Sequence, residues 1–230
     1  MGRGNYVSSY SVDMVFVIDA TGSMGSVIKM VKKNALNLYD DLMRAMDAKH
    51  KSISEVRVRV VAFRDYLADK RKAMLTTDFF TLPAQNADFE ACVNSIVAEG
   101  GGDEPEDGLE ALAYAIRSKW NDSATKKRQV IVVWTDASTH DLGFGSKSEF
   151  YPSNMARNFT ELSEWWGDAQ FGSEFIDQNA KRLLLFAPDE NYWNTISDNW
   201  DNVIHYPSEA GNGLGEVDYK TIIDTITNSI

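Results

Sequence analysis

The sequence predicts an α/β protein with a doubly wound, mainly parallel sheet of six strands and helices on both faces. Short apolar runs rich in β-branched residues indicate strands that are buried on both faces. These runs alternate along the chain with segments whose apolar residues recur at helical spacing. Acidic residues directly follow two of the predicted strands, and in open α/β sheets the carboxyl ends of the strands are where ligands bind.

The composition fits one globular domain and argues against several classes of function. Of the 230 residues, 43% are hydrophobic, which is enough to bury a core. The net charge of −11 argues against nucleic-acid binding and against anionic membrane surfaces. There is no apolar run of membrane-spanning length and no apolar signal-peptide core, and the single cysteine, Cys92, excludes an intrachain disulfide. We therefore expect a cytoplasmic protein, with residues 1–11 as a flexible N-terminal lead-in and residues 12–230 as one domain.

The first part of the chain contains three predicted strands. Asp13–Asp19 is apolar throughout its middle, and Glu55–Phe63 alternates before it becomes fully apolar. Met74–Leu82 is a weaker edge strand that ends at Pro83. Between the first two strands, apolar residues at helical spacing predict one helix of about six turns. They are Val27, Met30, Val31, Ala35, Leu38, Leu42 and Met46.

The rest of the chain continues the alternation. A helix over Ala87–Ala98 precedes the glycine-rich and acidic segment Gly100–Gly108, which leads into a further helix. The fourth strand, Gln129–Thr135, is followed by a polar stretch, Ser138–Asn154, that is long enough to indicate a functional loop. The remaining predicted elements are a helix over Ala156–Trp166, a strand over Arg182–Phe186, a short helix over Tyr192–Trp200, a strand over Val203–Tyr206 and a closing helix over Val217–Ile230.

Asp19, Thr21 and Ser23 form the first part of a candidate site. They follow the first strand in the string D-A-T-G-S, and in an extended loop alternate residues direct their oxygens to one side. Hard oxygen ligands without imidazole or thiolate suit Mg²⁺, Mn²⁺ or Ca²⁺. The same residue types are common at helix N-caps, and Gly22 is a common turn residue. The motif alone therefore leaves both interpretations open.

Two further acidic residues extend this candidate site. Right-handed crossovers place the first and fourth strands side by side where the winding reverses, so Asp136 is expected beside Asp19. Asp103 lies in G-G-G-D-E-P-E-D-G before a helix, where acidic residues also favour the positive helix end. Three consecutive glycines permit a close backbone approach that a metal site needs and a helix cap does not.

Together these motifs resemble the von Willebrand factor type A domain over residues 12–230. That family has a Rossmann-like α/β fold and a metal-ion-dependent adhesion site, built from a D-x-S/T-x-S motif, a Thr or Asp of a second loop and an Asp of a third. The matching positions here are Asp19, Thr21 and Ser23 for the first motif, Asp103 for the second and Asp136 for the third. Thr is the common residue in the second loop, so Asp103 is a departure. The strings A-F-R-D-Y, G-G-G-D-E-P-E-D and T-D-A-S-T-H are most similar to an intracellular branch, including the type attached to alpha-kinases.

The resemblance implies a protein-binding module and not an enzyme. Such a domain holds Mg²⁺, or Mn²⁺ or Ca²⁺, through direct and water-mediated oxygens, and an Asp or Glu of a protein partner completes the coordination shell. Intracellular members often work beside ATPases, kinases or phosphatases. The residues expected to select the partner are Arg64, Asp65, Gly102 and His140. In the alternative interpretation, Asp65 bonds Arg64 to order its loop, and His140 faces solvent.

An enzyme is the main alternative from another class. The string D-A-T-G-S also resembles the loop of aspartate-phosphorylated transporters and haloacid-dehalogenase-like phosphatases, in which Asp19 would be the nucleophile beside Mg²⁺. Such enzymes need a second acidic pair at another strand end, whereas W-T-D-A offers Asp136 alone. The third interpretation is an interaction scaffold that binds no metal.

Overall fold

The computed structural model describes residues 9–102, 104–211 and 219–230, which form one sheet between two layers of helices. The strands are β1 (Ser9–Asp19), β2 (Ser52–Phe63), β3 (Met74–Thr76), β4 (Phe80–Leu82), β5 (Lys127–Trp134), β6 (Lys181–Pro188) and β7 (Val203–Ser208). The α-helices are α1 (Gly25–Asn34), α2 (Leu38–Ala48), α3 (Asn86–Ser95), α4 (Gly108–Ile116), α5 (Phe159–Trp166), α6 (Trp193–Asn199) and α7 (Tyr219–Ser229). The predicted α/β fold class is confirmed.

The order of the strands places the candidate site. It runs β3–β2–β1–β5–β6–β7, with β4 beside β2, and β1, β2, β5, β6 and β7 are parallel. The chain winds from β1 out to β2 and then returns to β5 on the other side of β1. The winding therefore reverses between β1 and β5, as predicted. Ile18 pairs with Trp134, so the residues that follow each of them lie at the same edge of the sheet.

The described residues contain seven strands where six were predicted, because the edge segment Met74–Leu82 divides in two. Both β3 and β4 pair antiparallel with β2, at separate places. Thr77 lies between them, and its hydroxyl accepts a hydrogen bond from Val60 N at 3.0 Å. Its carbonyl accepts another from Arg59 Nε at 2.8 Å. The backbone bond from Thr77 N to the Val60 carbonyl is kept at 3.0 Å, but the two side-chain bonds replace the reverse bond of the ladder, and the strand is interrupted here.

Two larger differences from prediction lie at the beginning of the chain. Strand β1 begins at Ser9, so residues 9–11 of the expected lead-in pair with β2, while residues 1–8 lie outside the described residues. The long helix predicted after β1 is divided into α1 and α2 by a 3₁₀ turn over Ala35–Asn37. Just before this turn, Asn34 Nδ2 donates to the Met30 carbonyl at 2.8 Å, a local bond that competes with the helix ladder.

The sheet separates two hydrophobic layers. Met14, Phe16 and Ile18 of β1 pack in one layer with α1, α2, α3 and α7, and Val15 and Val17 pack in the other with α4, α5 and α6. Alternate residues of a strand point to opposite faces, so burial on both sides explains why β1 is apolar throughout. The polar loop at its end therefore extends from a rigid base. No helix within the described ranges has the length and apolar character needed to cross a bilayer.

Candidate functional site

Asp19 anchors the crevice between the ends of β1 and β5. The side chain is fully buried. Its Oδ1 accepts hydrogen bonds from Thr21 N at 2.9 Å and from Thr21 Oγ1 at 2.6 Å. Its Oδ2 accepts a bond from Thr135 Oγ1 at 2.7 Å. Three donors thus hold this carboxylate in place, and the bond to Thr135 joins the ends of the two central strands.

Ser23 and Asp136 complete the crevice. Ser23 Oγ donates to Asp136 Oδ1 at 2.9 Å and lies 3.5 Å from Thr21 Oγ1. Asp136 is fully buried, whereas Ser23 is exposed, so the crevice opens to solvent on the side of the first loop. The fold therefore brings together four predicted residues, Asp19, Thr21, Ser23 and Asp136. Asp103, the fifth, lies outside the described residues.

Burial sets the electrostatics of Asp19. Loss of water raises its pKa from 3.8 to about 6, and the charge of Asp136 acts in the same direction. The hydrogen bonds from Thr21 and Thr135 lower the pKa and so oppose this effect. The carboxylate is therefore mostly ionised at neutral pH. Keeping its charge buried costs free energy, which a bound cation would recover.

The glycine-rich loop lies against this crevice, as its composition predicts. Gly100 and Gly101 have φ of +76° and +78°, a region that side chains disfavour. A Cβ on Gly101 would lie 2.7 Å from Glu106 Oε1 and 3.0 Å from Thr21 Cγ2. Asp69, which was not predicted, accepts a hydrogen bond from Gly101 N at 3.0 Å. A side chain at Gly101 would therefore displace Glu106 or the first loop.

Glu106 is a second residue that the sequence prediction missed. It is buried, and its Oε2 has no hydrogen-bond partner among the described residues. Burial raises its pKa to about 9, and the largest contribution from a charge is that of Asp19. The acidic run before α4 was compatible with helix capping, yet Glu106 forms a bridge with Thr139 in the loop after β5. It therefore lies beside the crevice and outside the helix.

Arg64 does not present its charge at the surface. The side chain is buried, and its guanidinium donates only to carbonyl groups within the described residues: Ala20 and Glu99 from Nε, Lys72 from Nη1 and Val97 from Nη2, at 2.6–3.0 Å. The Arg64–Asp65 bond of the alternative interpretation is absent from the described residues. Arg64 thus ties the loop after β1 to the segment before the glycines.

Asp65 and His140 form a second group beside the crevice. His140 is buried, contrary to the solvent-facing alternative, and its Nε2 lies 3.1 Å from Asp65 Oδ2. Asp65 Oδ1 accepts hydrogen bonds from Leu67 N at 2.5 Å and Ala68 N at 2.6 Å. Asp107 belongs to the same group. One potential ligand atom from each of Asp65, Asp107 and His140 lies within 4.8 Å of the other two. Burial and the charge of Glu110 raise the pKa of Asp107 to about 8.

Comparison with known proteins matches the chain to one family. The family model described as von Willebrand factor A domain matches residues 13–147, more than half of the chain. A curated relative, alpha-protein kinase vwkA of Dictyostelium discoideum, is 28% identical over 145 residues. That match covers 63% of this chain but 21% of the relative, so the chain spans about a fifth of the kinase's length.

Solved structures share the fold at low sequence identity. The pilus adhesin SpaC of Lactobacillus rhamnosus GG aligns over 96% of this chain and 30% of its own, at 13% identity and a TM-score of 0.50. The minor pilin PilB of Streptococcus sanguinis aligns over 96% of this chain and 62% of its own, at 12% identity and a TM-score of 0.53. These similarities extend through nearly the whole chain and concern its fold.

Proposed function

The chain belongs to the von Willebrand factor A domain family, and we propose that it is a divalent-metal-dependent protein-binding module and not an enzyme. The fold of this family supports a protein-interaction module. In our proposal, Mg²⁺, or alternatively Mn²⁺ or Ca²⁺, binds at the carboxyl edge of the sheet between β1 and β5. An Asp or Glu side chain of a protein partner completes the coordination of that cation.

The arrangement of hydroxyl and carboxylate groups is the observation that carries this proposal. Thr21 and Ser23 each donate their hydroxyl proton to a buried carboxylate, so the oxygen lone pairs remain available to a cation. Their oxygens are 3.5 Å apart, close to the separation of about 3.3–3.7 Å for adjacent Ca²⁺ ligands and about 0.6 Å longer than the separation of about 2.9 Å for adjacent Mg²⁺ ligands. The residues therefore fit an oxygen-ligated divalent cation.

The charge distribution explains why such a cation would bind an acidic partner. Neutral hydroxyls of Thr21 and Ser23 are proposed as direct ligands, with Asp19 and Asp136 as the carboxylates that orient them. Neutral direct ligands leave most of the cation's charge uncompensated, which favours an added carboxylate. We keep Asp103 as a proposed second-loop ligand, whose carboxylate would reduce this demand for an acidic partner, and add Glu106, whose buried carboxyl group lies beside the same loop.

The residues around the crevice have different proposed roles. Arg64 is proposed as a positioning residue, because its bonds order the loops without reaching the surface. Gly102 is exposed at the rim and remains a proposed partner contact, as do Asp65 and His140 through the loop that they hold. The match to a protein named as an alpha-kinase supports a kinase as the neighbour or partner, in a cytoplasmic setting.

The phosphotransfer alternative is less well supported by the geometry. An aspartate nucleophile needs one carboxylate oxygen free to attack phosphorus. Both oxygens of Asp19 accept hydrogen bonds, and the side chain has no exposed surface. This arrangement suits a carboxylate that orients hydroxyl ligands.

Selection of peptides from a random display library tests the proposal without a known partner. Wild-type protein would be panned in Mg²⁺ and in chelator, beside the Asp136→Asn variant in Mg²⁺. We expect enriched peptides to share one Asp or Glu only with wild-type protein in Mg²⁺. Equal enrichment in chelator would favour the metal-free scaffold, and phosphatase activity lost on Asp19→Ala would favour the enzyme.

A further inference from the structure

We propose that Asp65, Asp107 and His140 form a second cation site, distinct from the crevice and suited to a transition-metal ion such as Zn²⁺ or Mn²⁺. The three residues come from the loop after β2, the turn before α4 and the loop after β5. All three side chains are buried. The inference does not rest on the proposed function, because none of its three proposed ligands is a proposed ligand of the crevice.

The contact between His140 and Asp65 fits two neighbouring ligands of one ion. His140 Nε2 and Asp65 Oδ2 are 3.1 Å apart, close to the separation of about 3.0–3.4 Å between neighbouring ligands bound near 2.1 Å. A ligand atom of Asp107 lies within 4.8 Å of both. His140 stacks on Phe144 with ring centroids 3.8 Å apart and planes 13° from parallel, which fixes the orientation of the imidazole.

An unsatisfied carboxylate oxygen is the independent sign of a missing ligand. Asp107 is fully buried, and its Oδ2 accepts a bond from Tyr66 N at 2.6 Å. Its Oδ1 has no partner among the described residues. Leaving a buried acceptor without a donor costs about 1–3 kcal/mol, so such atoms usually face a water, an ion or a proton.

The surrounding charge favours a cation in this position. Glu106 and Glu110 are also buried, and each has one oxygen without a hydrogen-bond partner in the described part of the chain. No lysine or arginine among the described residues forms an ion pair with Asp65, Asp107 or either glutamate, and Arg64 nearby binds carbonyls. Glu106 and Glu110 thus add negative charge near Asp65 and Asp107, and a divalent cation would compensate part of this charge.

The donor set selects the kind of ion. One imidazole nitrogen with two carboxylate oxygens suits Zn²⁺ or Mn²⁺ better than Mg²⁺ or Ca²⁺, which prefer oxygen ligands alone. The crevice contains hydroxyl and carboxylate oxygens and no imidazole. The two sites are therefore expected to differ in metal preference, which makes them separable in solution.

Nitrogen NMR of histidine-labelled protein tests the second site directly. The chain has three histidines, His50, His140 and His205, so the spectrum is simple. Zn²⁺ would be titrated into protein that holds excess Mg²⁺, so that Mg²⁺ occupies the crevice. The variants His140→Asn and His50→Asn would assign the signals. We expect one equivalent of Zn²⁺ to shift the His140 Nε2 resonance and to leave the other two histidines unchanged.

Two variants separate the sites. Asp107→Asn is expected to weaken Zn²⁺ binding at His140 at least tenfold, whereas Ser23→Ala should leave it unchanged. A His140 signal that does not respond to saturating Zn²⁺ in wild-type protein would overturn the proposal without any variant. The proposal would also fail if Ser23→Ala abolished the shift or if Asp107→Asn left the affinity unchanged. These outcomes would not bear on the proposal that Mg²⁺ binds at the crevice.

Discussion

The crevice at Asp19 and the cluster at Asp107 are both buried, acidic and next to each other, yet their hydrogen bonding differs. Asp19 accepts three hydrogen bonds that use both of its oxygens. Asp107 accepts one from Tyr66 N, and its other oxygen has no partner in the described residues. Both lie at the carboxyl edge of the sheet, so position alone does not explain the difference.

The comparison shows how neighbouring residues determine what an acidic site can bind. Threonine and serine hydroxyls satisfy the crevice carboxylates and offer oxygens to a hard cation. Among the described residues, no serine or threonine hydroxyl donates to Asp65 or Asp107, and His140 contacts Asp65 instead, which in our proposal suits a softer ion. The same burial therefore supports two different chemistries.

The largest expected effect concerns Arg64, which connects the two regions. Its side chain bonds Ala20 of the crevice loop, and its carbonyl accepts a bond from Asp107 N at 3.3 Å. Arg64→Met removes the donors of several partly buried carbonyls and should lower the free energy of unfolding by about 3 kcal/mol. Urea unfolding measures this change.

Arg157→Met is the matched control for that substitution. Arg157 is 82% exposed in its ion pair with Glu161, so the same change there should cost less than about 0.5 kcal/mol. Equal effects at the two positions would contradict a positioning role for Arg64.

The pH dependence of stability is expected to be nearly as large. Asp19, Asp107 and Glu106 have pKa values raised to about 6, 8 and 9, from 3.8, 3.8 and 4.5. Between about pH 4 and pH 9 the folded chain then holds more protons than the unfolded chain, so the free energy of unfolding falls as pH rises.

Thermal unfolding in chelator should show this loss, by at least about 2 kcal/mol between pH 5 and pH 9. Divalent metal should flatten the profile, since it replaces protons on the same carboxylates. Mg²⁺ alone should reverse the part of this stability loss that is due to Asp19, and added Zn²⁺ should reverse the part that is due to Asp107. A profile that rises over this range would contradict the electrostatic account.

Alanine substitutions at two glycines of positive φ separate the cost of steric contacts from the cost of the backbone conformation. Gly101→Ala must accommodate φ of +78° and contacts with Glu106 and Thr21, whereas Gly172→Ala has φ of +69° and open space around the new Cβ. We expect a loss of about 2 kcal/mol at Gly101 and about 1 kcal/mol at Gly172. Mg²⁺ affinity should fall in the first variant alone; equal losses of stability and affinity would mean that the loop does not pack on the crevice.

Ser23→Ala should give the smallest change in stability and the most selective change in binding. Ser23 is exposed, so unfolding should shift by less than about 0.5 kcal/mol. Loss of one proposed ligand should weaken Mg²⁺ about tenfold, a change that titration calorimetry measures. Ser153→Ala, an exposed serine on another loop, is the control and should bind Mg²⁺ normally.

The sequence alone located the crevice because its determinants are local. The apolar runs of β1 and β5 indicate buried strands, and the winding rule makes them neighbours, so Asp19 and Asp136 were predicted at one edge. The close approach of the glycine-rich loop to the crevice was also predicted, from its three consecutive glycines. The division of β3 from β4 did not follow, since it depends on bonds of Thr77 to β2.

The second cluster could not be predicted in the same way. Its His140–Asp65 contact joins residues 75 positions apart, and neither belongs to a regular element. Glu106 and Asp107 lie in an acidic run before α4, where helix capping is a sufficient explanation. Only the tertiary packing shows that Glu106 bridges to Thr139 and that Asp107 is left with an unpaired oxygen.

Titration calorimetry of Mg²⁺ and Mn²⁺ into chelator-treated protein tests the central claim most directly. Wild type would be compared with Asp136→Asn and with Asp189→Asn, an exposed acid at the end of β6. We predict about one equivalent of Mg²⁺ bound by wild type and by Asp189→Asn, and none by Asp136→Asn. Absence of binding in wild type, or unchanged binding in Asp136→Asn, would contradict a metal site between β1 and β5.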